Sequence, residues 1–155
     1  MTRGSFVACL GVLILTCAGC GGPLGPLSGG ALSGDEAPLP AEWTFASEIE
    51  QVQLETRPAD PYSVNTWIGV VGGNLYIPTS LILGEEDPGQ RAWVQHVQSD
   101  PNVRLRIEEK VYALKAIRVE DEATINNVKT SLLAKYGEEP TEHSDRAWVY
   151  QLTTR

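Results

Sequence analysis

Apolar and polar positions alternate, or recur at helical spacing, through most of the chain after residue 40. Val52 and Leu54 face one way and Gln51, Gln53 and Glu55 the other, which predicts a strand over 49–56. Arg57-Pro58-Ala59-Asp60-Pro61 reads as a loop, because its two prolines cannot donate to a ladder. Thr66 to Val71 and Leu75 to Thr79 are β-branched, apolar runs joined by Gly72-Gly73-Asn74, residues that tolerate the positive φ of a tight hairpin. Leu81-Ile82-Leu83 either extends that strand or covers the core.

Asp87-Pro88 resembles a helix start, and Trp93 and Val97 lie four apart on one face of the helix it opens. Asp100-Pro101 stops that helix, since the residue before a proline is pushed out of the α region. Val103, Leu105 and Ile107 alternate with Arg104 and Arg106 in a half-buried strand, whose arginines are expected outward, pairing with Glu108 or Glu120. Glu108-Glu109-Lys110 turns the chain into a longer strand ending near Val119. Asp121 is the N-cap of a helix with Ile125, Val128, Leu132 and Tyr136 on one face, stopped by Gly137. Glu138 to Asp145 reads as a polar, solvent-facing loop containing His143. Ala147 to Thr153 closes the chain as a strand with Trp148, Tyr150 and Leu152 on one side.

The pattern is thus about six strands with two helices, a mainly β, α+β body. Short turns between consecutive strands make the pairing mostly antiparallel. So many strands in so small a body favour a closed or partly closed barrel, which hides its edges.

The first forty residues have a different character. Arg3 is a short positive region, and Phe6 to Leu15 is apolar but shorter than the roughly 20 residues that span a bilayer. It fits the core of a secretory signal. Cys17-Ala18-Gly19-Cys20 resembles the lipobox of bacterial lipoproteins, with Cys17 where a leucine is usual. The resemblance implies cleavage after residue 19, lipidation of Cys20 and anchoring to a cell-envelope membrane. An ordinary secreted protein with an incidental cysteine is the alternative. Gly21 to Pro40, rich in Gly, Pro and Ser, reads as a disordered linker reaching about 25 Å as a coil. The domain reading is therefore signal 1–19, tether 20–40 and barrel 41–155.

The formal charge of −8 over 155 residues argues against a nucleic-acid partner. All three cysteines, Cys9, Cys17 and Cys20, precede the body, so it has no disulfide or thiolate metal site. No nucleophile elbow, P-loop or histidine-rich metal spacing occurs.

The body resembles the split β-barrel superfamily of pyridoxamine-phosphate-oxidase-like flavin-binding proteins, and within it the deazaflavin-dependent nitroreductase-like proteins. Val52 to Arg57, Trp67 to Ser80, Ala92 to Val97, Asp100 to Val103, Ala113 to Val119, the helix over 121–136 and Tyr150 to Arg155 carry the likeness in their order and spacing. It implies FMN or a deazaflavin in a groove beside the barrel, often at a homodimer interface, for which Trp43, Trp67 and Trp148 are candidates if exposed. It implies cofactor-binding roles for Arg57, Thr79, Ser80, Arg91, Trp93 and His96, with no catalytic side chain required. The basic turn, which in the family usually reads Gly-Arg-x-Ser-Gly, is Arg57-Pro-Ala-Asp-Pro here, without the glycines and the hydroxyl.

Each candidate also has a plainer reading. Arg91 either meets an anion at the first turn of its helix or pairs with Glu85, Glu86 or Asp87. Trp93 either stacks on a cofactor ring or fills the core. His96 either donates to a cofactor carbonyl or is structural. The functional expectation is a membrane-anchored lipoprotein with a flavin- or deazaflavin-binding, oxidoreductase-like domain. The alternative is a non-catalytic ligand-binding or protein-interaction lipoprotein that kept the fold and lost the cofactor. Convergence of Arg91, Thr79, Ser80 and His96 on one groove discriminates the two.

Overall fold

The computed structural model describes residues 21–82 and 87–155. The expected signal and lipobox through Cys20, and the expected Arg91 partners Glu85 and Glu86, lie outside the described residues.

Among the described residues, eight strands and three α-helices build the body. The strands are β1 (Asp35–Glu36), β2 (Gln51–Thr56), β3 (Tyr62–Trp67), β4 (Gly69–Val71), β5 (Asn74–Pro78), β6 (Asn102–Ile107), β7 (Lys110–Arg118) and β8 (Val149–Thr154). The helices are α1 (Ala92–Ser99), α2 (Glu122–Tyr136) and α3 (Glu142–Arg146). The strands form one curled sheet in the order β3-β2-β6-β7-β8-β5-β4, antiparallel throughout, with the short β1 parallel to β7. The result is the expected α+β split barrel, a half-barrel with its core inside the curl.

The two ends of that order are successive pieces of one stretch. Residues 62–71 run as β3 against β2, break at Ile68, and continue as β4 against β5. One length of chain thus closes the sheet by changing partners midway. The break is held from α2. The Tyr136 hydroxyl accepts the Ile68 N–H at 3.0 Å and donates to the Glu50 carbonyl. Lys135 Nζ donates to the carbonyls of Ile49 at 2.6 Å and Ile68 at 3.0 Å. The Tyr136 ring stacks on Trp67 at 4.1 Å and 6°. The sequence pattern had placed the start of this strand at Thr66; its first four residues are strand because β2 pairs with them.

The local signals elsewhere behave as their chemistry dictates. Gly72 and Gly73 both take positive φ, 58° and 77°, and make the two-residue hairpin turn. Asp121 accepts the Thr124 N–H at 2.8 Å and Gly137 ends α2 at φ 67°. β6 alternates buried Val103, Leu105 and Ile107 with its arginines. Asp87 caps only a 3-10 turn over Pro88–Gln90, and α1 begins after it, with Arg91 as the residue just outside its first turn. The stretch after Gly137 is not all loop: a reciprocal Thr141–Ser144 capping box forms α3, and His143 is half-buried on it.

Two expectations need correction. Residues 21–37 do not run free. Gly21 and Gly30 face each other in a hairpin, joined by the Gly30 N–H on the Gly21 carbonyl at 2.9 Å. Gly29 then exchanges backbone hydrogen bonds of 2.8 and 2.9 Å with Ser63 on the outer edge of β3. Next, Asp35 and Ala37 donate to the carbonyls of Glu109 and Val111 beside β7. Glycine and proline keep this segment from burying a core of its own, but they leave its backbone groups available to a sheet edge that must be satisfied.

Arg104 is the second correction. It turns to Glu55, its direct cross-strand neighbour, at 3.1 and 3.2 Å, and not to Glu108 or Glu120. Arg106 donates to the Glu108 carbonyl and to Gln53 Oε1, at 2.7 and 3.2 Å. Glu55 is 1% exposed. Its other demand is met by the Leu32 N–H, which donates to Oε2 at 2.6 Å, while Leu32 itself is buried.

Glu55→Ala is expected to cost about 3 kcal/mol, because it strips a partly buried guanidinium and a buried N–H of their acceptor. The urea midpoint measures the loss. Native-state hydrogen exchange should show the Leu32 amide losing protection before the sheet amides do. Tyr136→Phe, which leaves the Ile68 N–H without its acceptor, is expected to cost about 1–3 kcal/mol by the same denaturation.

Candidate functional site

The partner change at Ile68 leaves β3 and β5 diverging, and the gap between them is a cavity of about 300 Å³. That lies at the lower end of small-ligand sites. Val64, Asn65, Thr66 and Trp67 line one side, and Pro78, Thr79 and Ser80 the other. Arg91 and Trp93 approach from α1, Gln51 from the start of β2, and Gly25, Pro26 and Leu27 from the N-terminal hairpin.

Four of the six sequence candidates meet here: Thr79, Ser80, Arg91 and Trp93. Thr79 is committed to the fold. Its N–H donates to the Trp148 carbonyl and its Oγ1 accepts the Trp148 N–H, both at 2.9 Å, continuing the β5–β8 ladder. Ser80 holds φ 146°, a backbone region other residues than glycine occupy at a cost of about 1–3 kcal/mol. Its Oγ accepts the Ile82 N–H at 3.4 Å. Arg91 is the one charged residue among the described residues that line the cavity. Trp93 fills both roles that the sequence left open. It is 5% exposed and meets Tyr150 edge-on at 5.3 Å in the core, yet it also forms cavity wall.

Arg57 and His96 are not among the cavity-lining residues; they form a second cluster around Tyr62. Arg57, at φ 51°, pairs with Asp60 at 3.2 Å. The Thr56 hydroxyl donates to the Tyr62 carbonyl at 3.2 Å and lies 3.0 Å from His96 Nδ1. With the hydroxyl hydrogen on the Tyr62 carbonyl, the tautomer protonated at Nδ1 is the one that completes the pair. The Tyr62 ring meets the imidazole edge-on at 5.0 Å. Desolvation, and then the Arg57 guanidinium, hold His96 below its ordinary value of 6.5, with Asp60 opposing them. The two clusters separate because Arg57 closes the end of β2 opposite Gln51, and α1 carries His96 one turn on toward that end.

Sequence reasoning missed the contributions of Gln51, Asn65, Thr66 and the hairpin tip. Gln51 and Asn65 look like the outward residues of ordinary strands, and nothing in a Gly-Pro-Leu run marks a cavity wall. Trp67, considered only as an interface residue, is a wall residue whose plane is set by Tyr136. Trp43 is not exposed: it is buried against Tyr112 at 5.0 Å. Trp148 is half-buried beneath the Arg118 guanidinium, 3.5 Å from its ring.

A lowered imidazole value binds fewer protons folded than unfolded, so stability is full above pH 6.5 and falls as pH drops through the window below it. The expected result is a melting temperature that declines on acidification from 6.5, with a shallower decline in His96→Gln.

The sequence matches no protein-family model and no curated protein. Its backbone does match solved structures. A conserved hypothetical protein from Mycobacterium tuberculosis superposes with TM-score 0.57 at 15% identity, over 77% of this chain and 86% of that one. An F420-H2 dependent reductase superposes with TM-score 0.51 at 16% identity, over 67% of this chain and 94% of that one. A NimC/NimA family protein from Clostridium acetobutylicum gives 0.51 at 11% identity, over 71% and 75%. At such identities the likeness establishes the fold alone: this chain is a split β-barrel like those structures.

Proposed function

We propose that the chain is an exported cell-envelope lipoprotein, anchored through Cys20, whose barrel binds a flavin or deazaflavin and serves an oxidoreductase-like role. The observation that carries the reading is the composition of the cavity at the split. Two indoles, Trp67 and Trp93, offer flat apolar wall, and Arg91 offers one positive charge. Gln51, Asn65 and Thr66 add hydrogen-bonding groups. A ring system with apolar faces, polar edges and a phosphate tail matches that set.

Such a cofactor supplies the hydride chemistry when bound. The protein's part is then confined to holding it. Trp67 is kept in plane by Tyr136, Trp93 is anchored in the core by Tyr150, and Arg91 counters phosphate charge. Protonating the cofactor is not assigned to His96, which sits in the Tyr62 cluster.

A second reading rests on a specific observation. Arg57, which the resemblance would place near phosphate, is turned to Asp60 in a loop without the family's glycines. That favours a barrel that has lost the cofactor and takes another ligand or a protein partner in the same cavity.

Titration decides between them. The chain from Gly21 onward is to be titrated with FMN and with a deazaflavin, following cofactor fluorescence. Saturable quenching is expected, with Arg91→Ala weakening binding by about 1.5–3 kcal/mol, roughly 10- to 150-fold. No saturation by a folded chain sinks the cofactor reading and leaves the second.

A further inference from the structure

The hairpin over residues 21–30 has a property that the cavity does not explain. Leu24 and Leu27 are 77% and 68% exposed, the most exposed large apolar side chains among the described residues. They are not loosely held. Each donates its N–H to the other's carbonyl, at 3.1 and 3.0 Å, so the two leucines are fixed as a pair at the hairpin tip. The tip itself is tied to β3, where Asn65 Nδ2 donates to the Gly25 carbonyl at 2.9 Å. Presenting two leucines to water on a fixed turn costs hydrophobic free energy that a partner surface would recover.

We infer that this hairpin is a membrane-contact face that lays the mouth of the cavity against the lipid surface. The inference rests on the reading of Cys20 as the lipid-bearing residue. Given that, the tether has almost no length. Gly21 is already hydrogen-bonded to Gly30, so one peptide link, about 3.8 Å between α-carbons, joins the acylated residue to the folded barrel. A domain held this closely cannot tumble clear of the headgroups, and the hairpin that follows Cys20 must meet them first.

Charge points the same way. The whole chain carries −8, and an anionic leaflet repels acidic surface. Residues 21–34 contain no charged side chain. The uncharged hairpin is therefore the surface that approaches lipid at least electrostatic cost, and its leucines gain by entering the interface. Leu27 also lines the cavity, as does Ile82, which is 42% exposed. The cavity mouth then lies at headgroup level, within reach of amphipathic molecules dissolved in the bilayer.

The full chain provides the test. With Cys20 acylated and the leader removed, the mature protein has no other cysteine, so a single introduced thiol can be labelled cleanly. Leu27→Cys is to carry an environment-sensitive fluorophore, and Ile117→Cys on β7 serves as the control at 46% exposure. Both are incorporated into phosphatidylethanolamine–phosphatidylglycerol vesicles with brominated acyl chains. Mass spectrometry of the N-terminal peptide reads the lipid separately. Label at residue 27 is expected to be quenched at least about twofold and label at residue 117 to be unaffected, with Leu24→Asp reducing the quenching. An acylated protein whose residue 27 label is no more quenched than the control overturns the contact face and leaves the lipoprotein intact. An unmodified Cys20 overturns the lipoprotein reading and this inference with it.

Discussion

The hydrogen bonds that α2 makes to Ile68 are the constraint on which the rest of the molecule depends. A stretch of ten residues can close a curled sheet only if it leaves one partner and joins another, and the backbone groups at the change must still be satisfied. Tyr136 and Lys135 supply that satisfaction, meeting the N–H and the carbonyl of Ile68 and binding Ile49 and Glu50 at the start of β2. Burial pushes the Tyr136 phenol up, against the opposing hydrogen bond with Ile68, so it stays protonated and keeps its donor. The cavity is a consequence of the same event: where β3 and β4 part company, β3 and β5 separate.

The second organising interaction is the Glu55–Arg104 pair. A buried carboxylate is tolerated when its acceptor capacity is used, and here a guanidinium and a backbone N–H use it. The N–H belongs to Leu32, so the pair joins the neighbouring strands β2 and β6 to the segment that covers the edge of β3. That segment shields the free edge of β3 and then, at Gly25 to Leu27, contributes wall to the cavity. Edge protection and site construction are thus one act of folding, and a chain trimmed at residue 40 would lose both.

The two polar clusters differ in what they can do. At the split, the indoles of Trp67 and Trp93, the Arg91 guanidinium and the side chains of Gln51 and Asn65 line a cavity of about 300 Å³. Around Tyr62, the Thr56 hydroxyl lies between the Tyr62 carbonyl and His96 Nδ1, and Arg57 pairs with Asp60 while its Nε has no partner among the described residues. Desolvation, and then the Arg57 guanidinium, disfavour the charged form of His96. The same sequence interval thus yields a candidate site and a structural knot, divided by the length of β3.

Much of this was legible in the residues. The Gly72-Gly73 turn, the Asp121 and Gly137 caps, the alternation of β6 and the amphipathic face of α2 each express a local rule, because the atoms that decide them lie within a few residues. The order of those elements was enough to identify the split barrel, and of the six site candidates Thr79, Ser80, Arg91 and Trp93 line one cavity. What the sequence could not hold was any decision made between distant segments. Arg104 chose Glu55 over nearer carboxylates because strand register, not sequence distance, set them side by side. Residues 62–65 became strand because β2 needed a partner, and a Gly-Pro run composed like a tether became ordered because an exposed edge offered it hydrogen bonds. His96 lies outside the cavity because α1 carries it one turn on, to the Tyr62 cluster. Local chemistry determined the elements; the satisfaction of backbone groups at the sheet's edges and at its split decided where they met.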